Sequence, residues 1–298
     1  RTLHLSLVDL DIENQQKLAD ALCTAASMER VFFGNSGAEA NEAAIKLARL
    51  YGHGKGIEKP DIIVMEGSFH GRTMATLSAT GNRKVQAGFE PLVSGFVRAP
   101  YNNLEALQRI AENNRTVVAI MLEPVQGEGG IVIPDADYLQ AIRSLCDDNG
   151  WLMMLDEIQT GMARSGKMFA FQHAGIQPDV LMLAKALGNG IPIGACLTGP
   201  AASDVFHPGN HGTTFGGNPF ACRVGLAVTQ TMLEQDIAGN ADRQGKALVG
   251  QLNTELGAHP AIDQVRNLGL LVGISLNRDA PTLPAIALQN GLLINVTA

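Results

Sequence analysis

Lys185 and Asp156 are the side chains of this sequence best placed to do chemistry, because each comes at the end of an apolar run, residues 180–183 and 151–155 respectively. A lysine among apolar neighbours is partly desolvated, which lowers its pKa and leaves a neutral amine that can attack a carbonyl group. A buried carboxylate needs a partner, which can be a metal ion, a cation or a protonated ring nitrogen. No histidine cluster surrounds Asp156, which disfavours a metal. The alternatives are a solvated surface lysine and a helix-capping aspartate.

Two segments could hold a phosphate group. Ser36, with Glu39 three residues later, forms a capping box, and Gly37 lets a ligand approach the backbone where the helix starts. The free N–H groups and the positive dipole end of such a helix attract an anion. Thr213 and Thr214 place two hydroxyls in a glycine-rich segment. An ordinary capped helix and a plain turn are the alternatives.

An aromatic ring and an arginine share the loop at residues 67–73, which follows an apolar run ending at Met65. Phe69 could stack on a planar cofactor, and Arg72 could bind a carboxylate through two hydrogen bonds. Phe69 could equally belong to the core, and Arg72 could be a solvated charge. Together with the lysine, the buried carboxylate and the phosphate segments, this loop completes the groups that pyridoxal phosphate requires.

The elements that must position these groups alternate along the chain. Apolar runs of strand length lie at residues 61–65, 117–122, 151–155 and 180–183. Amphipathic stretches typical of helices lie between them at residues 37–51, 104–113 and 137–149. This alternation predicts an α/β fold with a parallel sheet covered by helices, in which ligands bind at the carboxyl ends of the strands.

The pattern changes after Pro219. A long helical tract is expected at residues 220–256, with a break at 236–239, followed by strands at 270–276 and 291–296. We therefore predict a large cofactor-binding domain over residues 1–235 and a smaller C-terminal domain over residues 236–298.

Composition excludes several classes of protein. The 298 residues include 46% hydrophobic side chains and carry a net charge of −7, so disorder, a fibre and a nucleic-acid partner are not expected. No apolar run approaches the roughly 20 residues that span a bilayer, and the N-terminus lacks the pattern of a signal peptide. The four cysteines are widely spaced, which predicts no metal site and a reduced, cytoplasmic setting.

Across essentially its whole length, the sequence resembles the class III aminotransferases of pyridoxal-phosphate fold type I, most closely the acetylornithine aminotransferase branch. The resemblance lies in the segments NSGAEANEAA, SFHGRT, EPVQGEGG, LDEIQTGMARSGK, LAKALGNGIPIGA and HGTTFGGNP. It implies a mostly parallel sheet covered by helices and a smaller C-terminal domain. One departure is Ala163, which stands where the family usually has glycine.

The resemblance also implies roles for individual residues. Lys185 and Asp156 would be catalytic: Lys185 would bond to the cofactor and move the proton, and Asp156 would keep the ring nitrogen protonated. Phe69 and Ile158 would pack on the two ring faces, and Gln159 would lie near the ring hydroxyl. The full set of implied cofactor-binding residues is Ser36, Gly37, Ala38, Phe69, His70, Asp156, Ile158, Gln159, Lys185 and Thr214.

Substrate contacts follow from the same resemblance. Arg72 would bind a substrate carboxylate, with Thr213 nearby, and Glu128 would pair with a second, C-terminal arginine of the family that lies beyond the end of this sequence. The family's segment that packs over the active site from the N-terminal side would likewise precede residue 1. Thr214 would reach the phosphate in the neighbouring subunit, which implies a homodimer with shared active sites.

The implied activity transfers the δ-amino group of N-acetylornithine to 2-oxoglutarate by a ping-pong mechanism, in arginine biosynthesis. Succinylornithine, ornithine, 4-aminobutyrate and succinyldiaminopimelate aminotransferases are the alternatives within the family. An inactive fragment that acts as a binding protein is an alternative of another class. A nicotinamide-dependent dehydrogenase is disfavoured, because no GxGxxG turn joins a strand to a helix.

Overall fold

A seven-stranded sheet forms the centre of the protein in a computed structural model, which describes residues 12–297. The strands lie in the order β1-β7-β6-β5-β4-β2-β3. Only β7 runs antiparallel to its neighbours, so the sheet is mixed but mostly parallel, as predicted. The strands are β1 Arg30–Gly34, β2 Asp61–Met65, β3 Phe96–Ala99, β4 Val117–Leu122, β5 Leu152–Asp156, β6 Val180–Leu183 and β7 Gly194–Thr198.

Helices cover both faces of the sheet, because alternate side chains of the central strands point to opposite sides. In β4, Ile120 and Leu122 belong to one apolar cluster, and Met121 belongs to the other. The helices are α1 Glu13–Ala26, α2 Gly37–Gly54, α3 Met74–Ala79, α4 Arg83–Gln86, α5 Leu104–Asn113, α6 Tyr138–Asn149, α7 Phe171–Ala174, α8 Pro219–Glu234, α9 Ile237–Leu256 and α10 Leu283–Gln289. The cluster with Met121 contains side chains of α2, whereas the other contains side chains of α1, α5, α6 and α8.

The C-terminal region contains the two predicted helices, α8 and α9, which meet at the predicted break. An antiparallel hairpin follows, formed by β8 (Ile262–Leu268) and β9 (Leu271–Leu276). The strand expected at 291–296 is wrong, because residues 292–297 have no regular structure. Leu293 is 84% exposed, and no strand among residues 12–297 pairs with this segment. The domain boundary at residue 236 stays a prediction.

The sequence predictions for the membrane and the N-terminus differ in how far the structure tests them. Over residues 12–297, no helix combines the length and the apolar character that crossing a bilayer requires. The N-terminal segment, for which no signal peptide is expected, falls within residues 1–11 and therefore lies outside the described residues.

Candidate active site

A cavity of about 690 Å³ opens at the carboxyl ends of the parallel strands. Its volume lies within the range of small-molecule and cofactor sites. Most of the predicted site residues line it, namely Ser36, Gly37, Ala38, Phe69, His70, Arg72, Asp156, Ile158, Gln159 and Lys185. Glu128, Thr213 and Thr214 do not line it. The cavity therefore brings together residues that are up to 149 positions apart, counted from Ser36 to Lys185.

The N-terminus of α2 forms one wall of the cavity. Ser36 Oγ accepts a hydrogen bond of 3.2 Å from the backbone N–H of Glu39, as the capping box predicts. The reciprocal bond is displaced by one residue, because Glu39 Oε2 accepts from the N–H of Asn35 at 2.5 Å instead of from Ser36. A Cβ atom on Gly37 would lie 2.7 Å from Ile158 Cδ1, so only glycine allows Ile158 to pack against the first turn. The N–H groups of that turn stay available for an anion.

Asp156 is the last residue of β5 and is only 3% exposed. Its Oδ2 accepts hydrogen bonds from Asn41 Nδ2 at 2.8 Å and from His70 Nδ1 at 2.7 Å. Its Oδ1 accepts from the backbone N–H of Ile158 at 3.1 Å. The helix-cap alternative is wrong, because Asp156 ends a strand and caps no helix.

Asn41 is a site residue that the sequence analysis missed. It is fully buried on α2, and its Nδ2 also donates to the carbonyl oxygen of His70 at 2.7 Å. The only signal for it in the sequence is a polar residue one helical turn after Gly37, on a helix face that is otherwise apolar. Asn41 fixes the orientation of both Asp156 and the loop that follows β2.

Lys185 begins a single 3₁₀ turn, Lys185–Leu187, directly after β6 and Ala184. Its φ of 45° lies in the left-handed region, which costs a non-glycine residue about 1–3 kcal/mol and is found mainly where function requires it. Desolvation lowers the pKa of the Lys185 amine, while the charges of Asp156, Glu128 and Glu123 oppose this shift. The side chain borders the cavity, so the solvated-surface alternative does not describe it.

Glu123, a second residue that the sequence analysis missed, joins two loops of the site. Its Oε1 accepts from the N–H of Phe69 and its Oε2 from the N–H of Gly127, each at 3.0 Å. Burial raises the pKa of its carboxyl group to about 7. Glu123 therefore holds the aromatic loop after β2 against the glycine-rich loop after β4.

The predicted substrate residues occupy the rim of the site. The guanidinium carbon of Arg72 lies 5.6 Å from the centre of the Phe69 ring, and Arg72 forms no ion pair with any residue in the range 12–297. Phe69 is half-buried beside the cavity and belongs to neither apolar cluster. Glu128 Oε1 accepts from Gln159 Nε2 at 3.3 Å, which places Glu128 next to a residue that lines the cavity.

The two predicted threonines lie in the segment that precedes α8. Thr213 Oγ1 accepts a hydrogen bond of 3.2 Å from Asn35 Nδ2, so Thr213 lies beside the N-terminus of α2. Thr214 is exposed outside the cavity. The structure therefore brings Thr213 close to the site and leaves Thr214 away from it.

The family model for Aminotransferase class-III matches residues 1–298. This chain is a class III aminotransferase. It is 55% identical over 287 residues to an acetylornithine aminotransferase of Nitrosomonas europaea, a match that covers 96% of this chain and 73% of the relative. It is 48% identical to acetylornithine aminotransferase 1 of Bordetella pertussis, over 100% of this chain and 75% of that relative.

Solved structures of aminotransferases share the fold. The crystal structure of ornithine aminotransferase from Toxoplasma gondii superposes with a TM-score of 0.93 at 32% sequence identity, covering 99% of this chain and 71% of that one. Together with the family match, this likeness shows a transaminase that depends on pyridoxal phosphate and acts on an amino donor and a keto acid.

The residues of the cavity fit pyridoxal phosphate. The free N–H groups of α2 suit its phosphate, the carboxylate of Asp156 suits a protonated ring nitrogen, and the amine of Lys185 suits its carbonyl carbon. Because Gly37 has no side chain, both its backbone and Ile158 can border the cavity. Asn41 Oδ1 and His70 Nε2 are buried without a partner among the described residues, as expected of a polar cluster that serves a ligand.

Proposed function

We propose that this class III aminotransferase transfers the δ-amino group of N-acetylornithine to 2-oxoglutarate, which yields N-acetylglutamate semialdehyde and glutamate in arginine biosynthesis. The observation that carries the proposal is Arg72, which lines the same cavity as Lys185 and Asp156 and forms no ion pair within residues 12–297. Both substrates present carboxylates, which an arginine binds through two parallel hydrogen bonds. Relatives named acetylornithine aminotransferases, with identities of 45–55%, support this choice of donor.

The cofactor contacts belong to the proposal. Phe69 and Ile158 would pack on the ring, Gln159 would lie near the ring hydroxyl, and Gly37 and Ala38 would donate backbone N–H groups to the phosphate. Ser36 and His70 support this binding site, since Ser36 caps α2 and His70 forms a hydrogen bond with Asp156.

Pyridoxal phosphate, when bound, supplies a carbonyl group that takes up the amino group and a ring that withdraws electrons from the reacting carbon. Lys185 Nζ, whose pKa is lowered by desolvation, accepts a proton from the substrate carbon that bears the amino group and delivers it within the same site. The carboxylate of Asp156, held by Asn41 and His70, would pair with the ring nitrogen and hold the proton there. Arg72 orients each substrate by its carboxylate, so the donor and the acceptor take turns in one cavity.

We also propose a homodimer and a cytoplasmic location. Thr214 lies outside its own cavity, and the nearby Phe215 and Phe220 are 72% and 65% exposed, which fits a contact with a second copy. Thr214 would then contact the phosphate group bound in the other subunit. Four free, buried cysteines suit a reducing compartment.

The choice of donor is tested by comparing kcat/KM for N-acetylornithine, ornithine, succinylornithine, 4-aminobutyrate and succinyldiaminopimelate, with 2-oxoglutarate as acceptor. We expect N-acetylornithine to give the highest value. The strongest competitor is ornithine, because the structural neighbours include ornithine aminotransferases. A clear preference for another donor would overturn the proposed function without affecting the membership of the family.

Arg72→Ala should raise KM for 2-oxoglutarate about 10–100-fold, because a charge-assisted hydrogen bond contributes about 1.5–3 kcal/mol. The effect on kcat should be smaller, since Arg72 binds a part of the substrate that does not react. Steady-state kinetics of both half-reactions measure the change. Arg83→Ala, which removes an exposed arginine outside the cavity, is the control. An Arg72→Ala enzyme with an unchanged KM would remove the role of Arg72 in binding the acceptor.

A further inference from the structure

Arg266 lies in the middle of β8, and its guanidinium reaches the glycine-rich loop that follows β4. Nε donates to the carbonyl oxygen of Ile131 at 2.6 Å, and Nη2 donates to the carbonyl oxygen of Gly130. Nη1 donates to Ser275 Oγ on the neighbouring strand β9. Within the described range 12–297, Arg266 forms no ion pair with a carboxylate. Its guanidinium instead donates hydrogen bonds to backbone carbonyl oxygens.

The loop that Arg266 holds, at residues 127–131, has an unfavourable backbone conformation. Gly130 has a φ of 104° and Ile131 a φ of 53°, and the second value is rare for a β-branched residue. The loop is closed by two hydrogen bonds between Gln126 and Val132, at 3.1 and 3.0 Å. A strained conformation of this kind persists only where the surrounding structure enforces it, and Arg266 provides part of that enforcement.

The hairpin is shaped to approach this loop closely. Gly273 pairs with Arg266 across the two strands. A Cβ atom on Gly273 would lie 2.9 Å from Ile131 Cβ, so the missing side chain makes room for Ile131 next to the guanidinium. The turn of the hairpin is attached to the rest of the protein by a hydrogen bond of 2.9 Å from Leu270 N–H to the carbonyl oxygen of Arg164.

The same loop carries Glu128 towards the cavity. Glu128 Oε1 accepts from Gln159 Nε2 at 3.3 Å, and Gln159 lines the cavity. A Cβ atom on Gly127 would lie 2.4 Å from Gln159 Oε1, so the loop packs closely against the Gln159 side chain. A continuous series of contacts therefore leads from Arg266 through the loop to Glu128 and Gln159.

We propose that Arg266 is a positioning residue, which fixes the loop at residues 127–131 and thereby the place of Glu128 at the substrate side of the cavity. It does so from the C-terminal hairpin and does not line the cavity itself. The inference rests on the proposed function only in that Glu128 must face the substrate. It holds for whichever amino donor the enzyme prefers.

The test is a double-mutant cycle with Arg266→Ala, Glu128→Ala and the combined variant, run with the donor that the wild-type enzyme uses best. Arg266→Ala should raise KM for the donor or the acceptor about tenfold and change kcat less than threefold, because it displaces a binding group and leaves Lys185 in place. The combined variant should have the same KM as Glu128→Ala alone, since Arg266 acts through Glu128. Arg278→Ala, an exposed arginine just beyond β9, is the matched control and should behave as wild type.

Hydrogen exchange supplies a readout that does not depend on activity. The amides of Gln126 and Val132 should exchange at least about tenfold faster in Arg266→Ala than in wild type or Arg278→Ala. If Arg266→Ala does not fold, Arg266→Lys keeps the charge but cannot reach both carbonyls and Ser275 at once, and should show several-fold changes in the same direction.

The inference would be overturned by an unchanged KM with unchanged exchange in the Arg266 variants, by additive effects in the double variant, or by a Glu128→Ala enzyme with wild-type kinetics. A lower melting temperature with an unchanged KM would assign Arg266 a purely structural role and would also overturn it. A wild-type enzyme with a preference for a donor other than N-acetylornithine would contradict the proposed function but not this inference. The double-mutant cycle is then measured with the preferred donor.

Discussion

Replacing Lys185 with alanine should lower kcat/KM for transamination about 10⁴-fold or more, because the variant loses both the nucleophile and the general base. Both functions belong to a single atom, Nζ of Lys185, which follows β6. No described lysine other than Lys185 lines the cavity, so another amine is not in place to substitute for it.

The structure accounts for the reactivity of this lysine. Desolvation lowers the pKa of the Lys185 amine, which increases the neutral fraction at a given pH. The left-handed φ of 45° directs the chain into the 3₁₀ turn and is retained when the side chain is shortened, so Lys185→Ala should fold like wild type. The expected loss is therefore one of chemistry and not of stability.

Absorbance spectroscopy and mass spectrometry check the prediction. Wild-type protein reconstituted with pyridoxal phosphate should show a visible absorbance that disappears on borohydride reduction, after which the cofactor is found on the peptide that contains Lys185. Lys185→Ala should show neither, whereas Lys59→Ala, which removes an exposed lysine outside the cavity, should match wild type. A colourless wild-type protein, or an active Lys185→Ala enzyme, would contradict the assignment.

Local sequence patterns predicted much of the fold that positions Lys185. Apolar runs located β2, β4, β5 and β6, and the capping box located the start of α2, because these features depend on neighbours within a few residues. Strand β7 was not predicted. Its residues pair antiparallel with β1 and β6, and that direction depends on tertiary contacts that a short apolar segment does not encode.

Apolar character alone also misled the prediction at residues 291–296, where a strand was expected. A strand needs a partner for its hydrogen bonds, and this segment has none within the described residues. Ala163 shows a related difficulty. It has a φ of 69°, a conformation that explains why the family usually has glycine there, and only the structure reveals that the alanine adopts it at a cost of roughly 1 kcal/mol.

Asn41 and Glu123 could not be identified from local patterns, because each acts through contacts with distant residues. Asn41 meets Asp156, which lies 115 positions away, and Glu123 meets Phe69, which lies 54 positions away. A buried polar side chain on an apolar face is the signal that such a residue has a partner, but the partner is visible only in the fold.

Asp156→Asn should lower kcat about 10²–10³-fold while the protein stays folded, because it removes a preorganised charge and keeps the shape of the side chain. In the proposed mechanism, the charge holds a proton on the ring nitrogen of the cofactor, which an amide cannot do. Asn41 Oδ1 has no partner in the described structure, so rotation of the Asn41 amide could present this oxygen to the new NH2 group. Ile158 N–H could still donate to the remaining side-chain oxygen.

The decisive measurement is a single-turnover experiment with the amino donor alone, which reports the first half-reaction without acceptor binding. Asp156→Asn should still bind pyridoxal phosphate through Lys185 and α2, so its absorbance should remain while its rate of conversion falls. Asp148→Asn, an exposed carboxylate on α6, serves as the matched control and should convert at the wild-type rate. A rate within about threefold of wild type in Asp156→Asn would show that the carboxylate does not control the electronics of the ring, because the expected loss corresponds to about 2.7–4 kcal/mol of transition-state stabilisation.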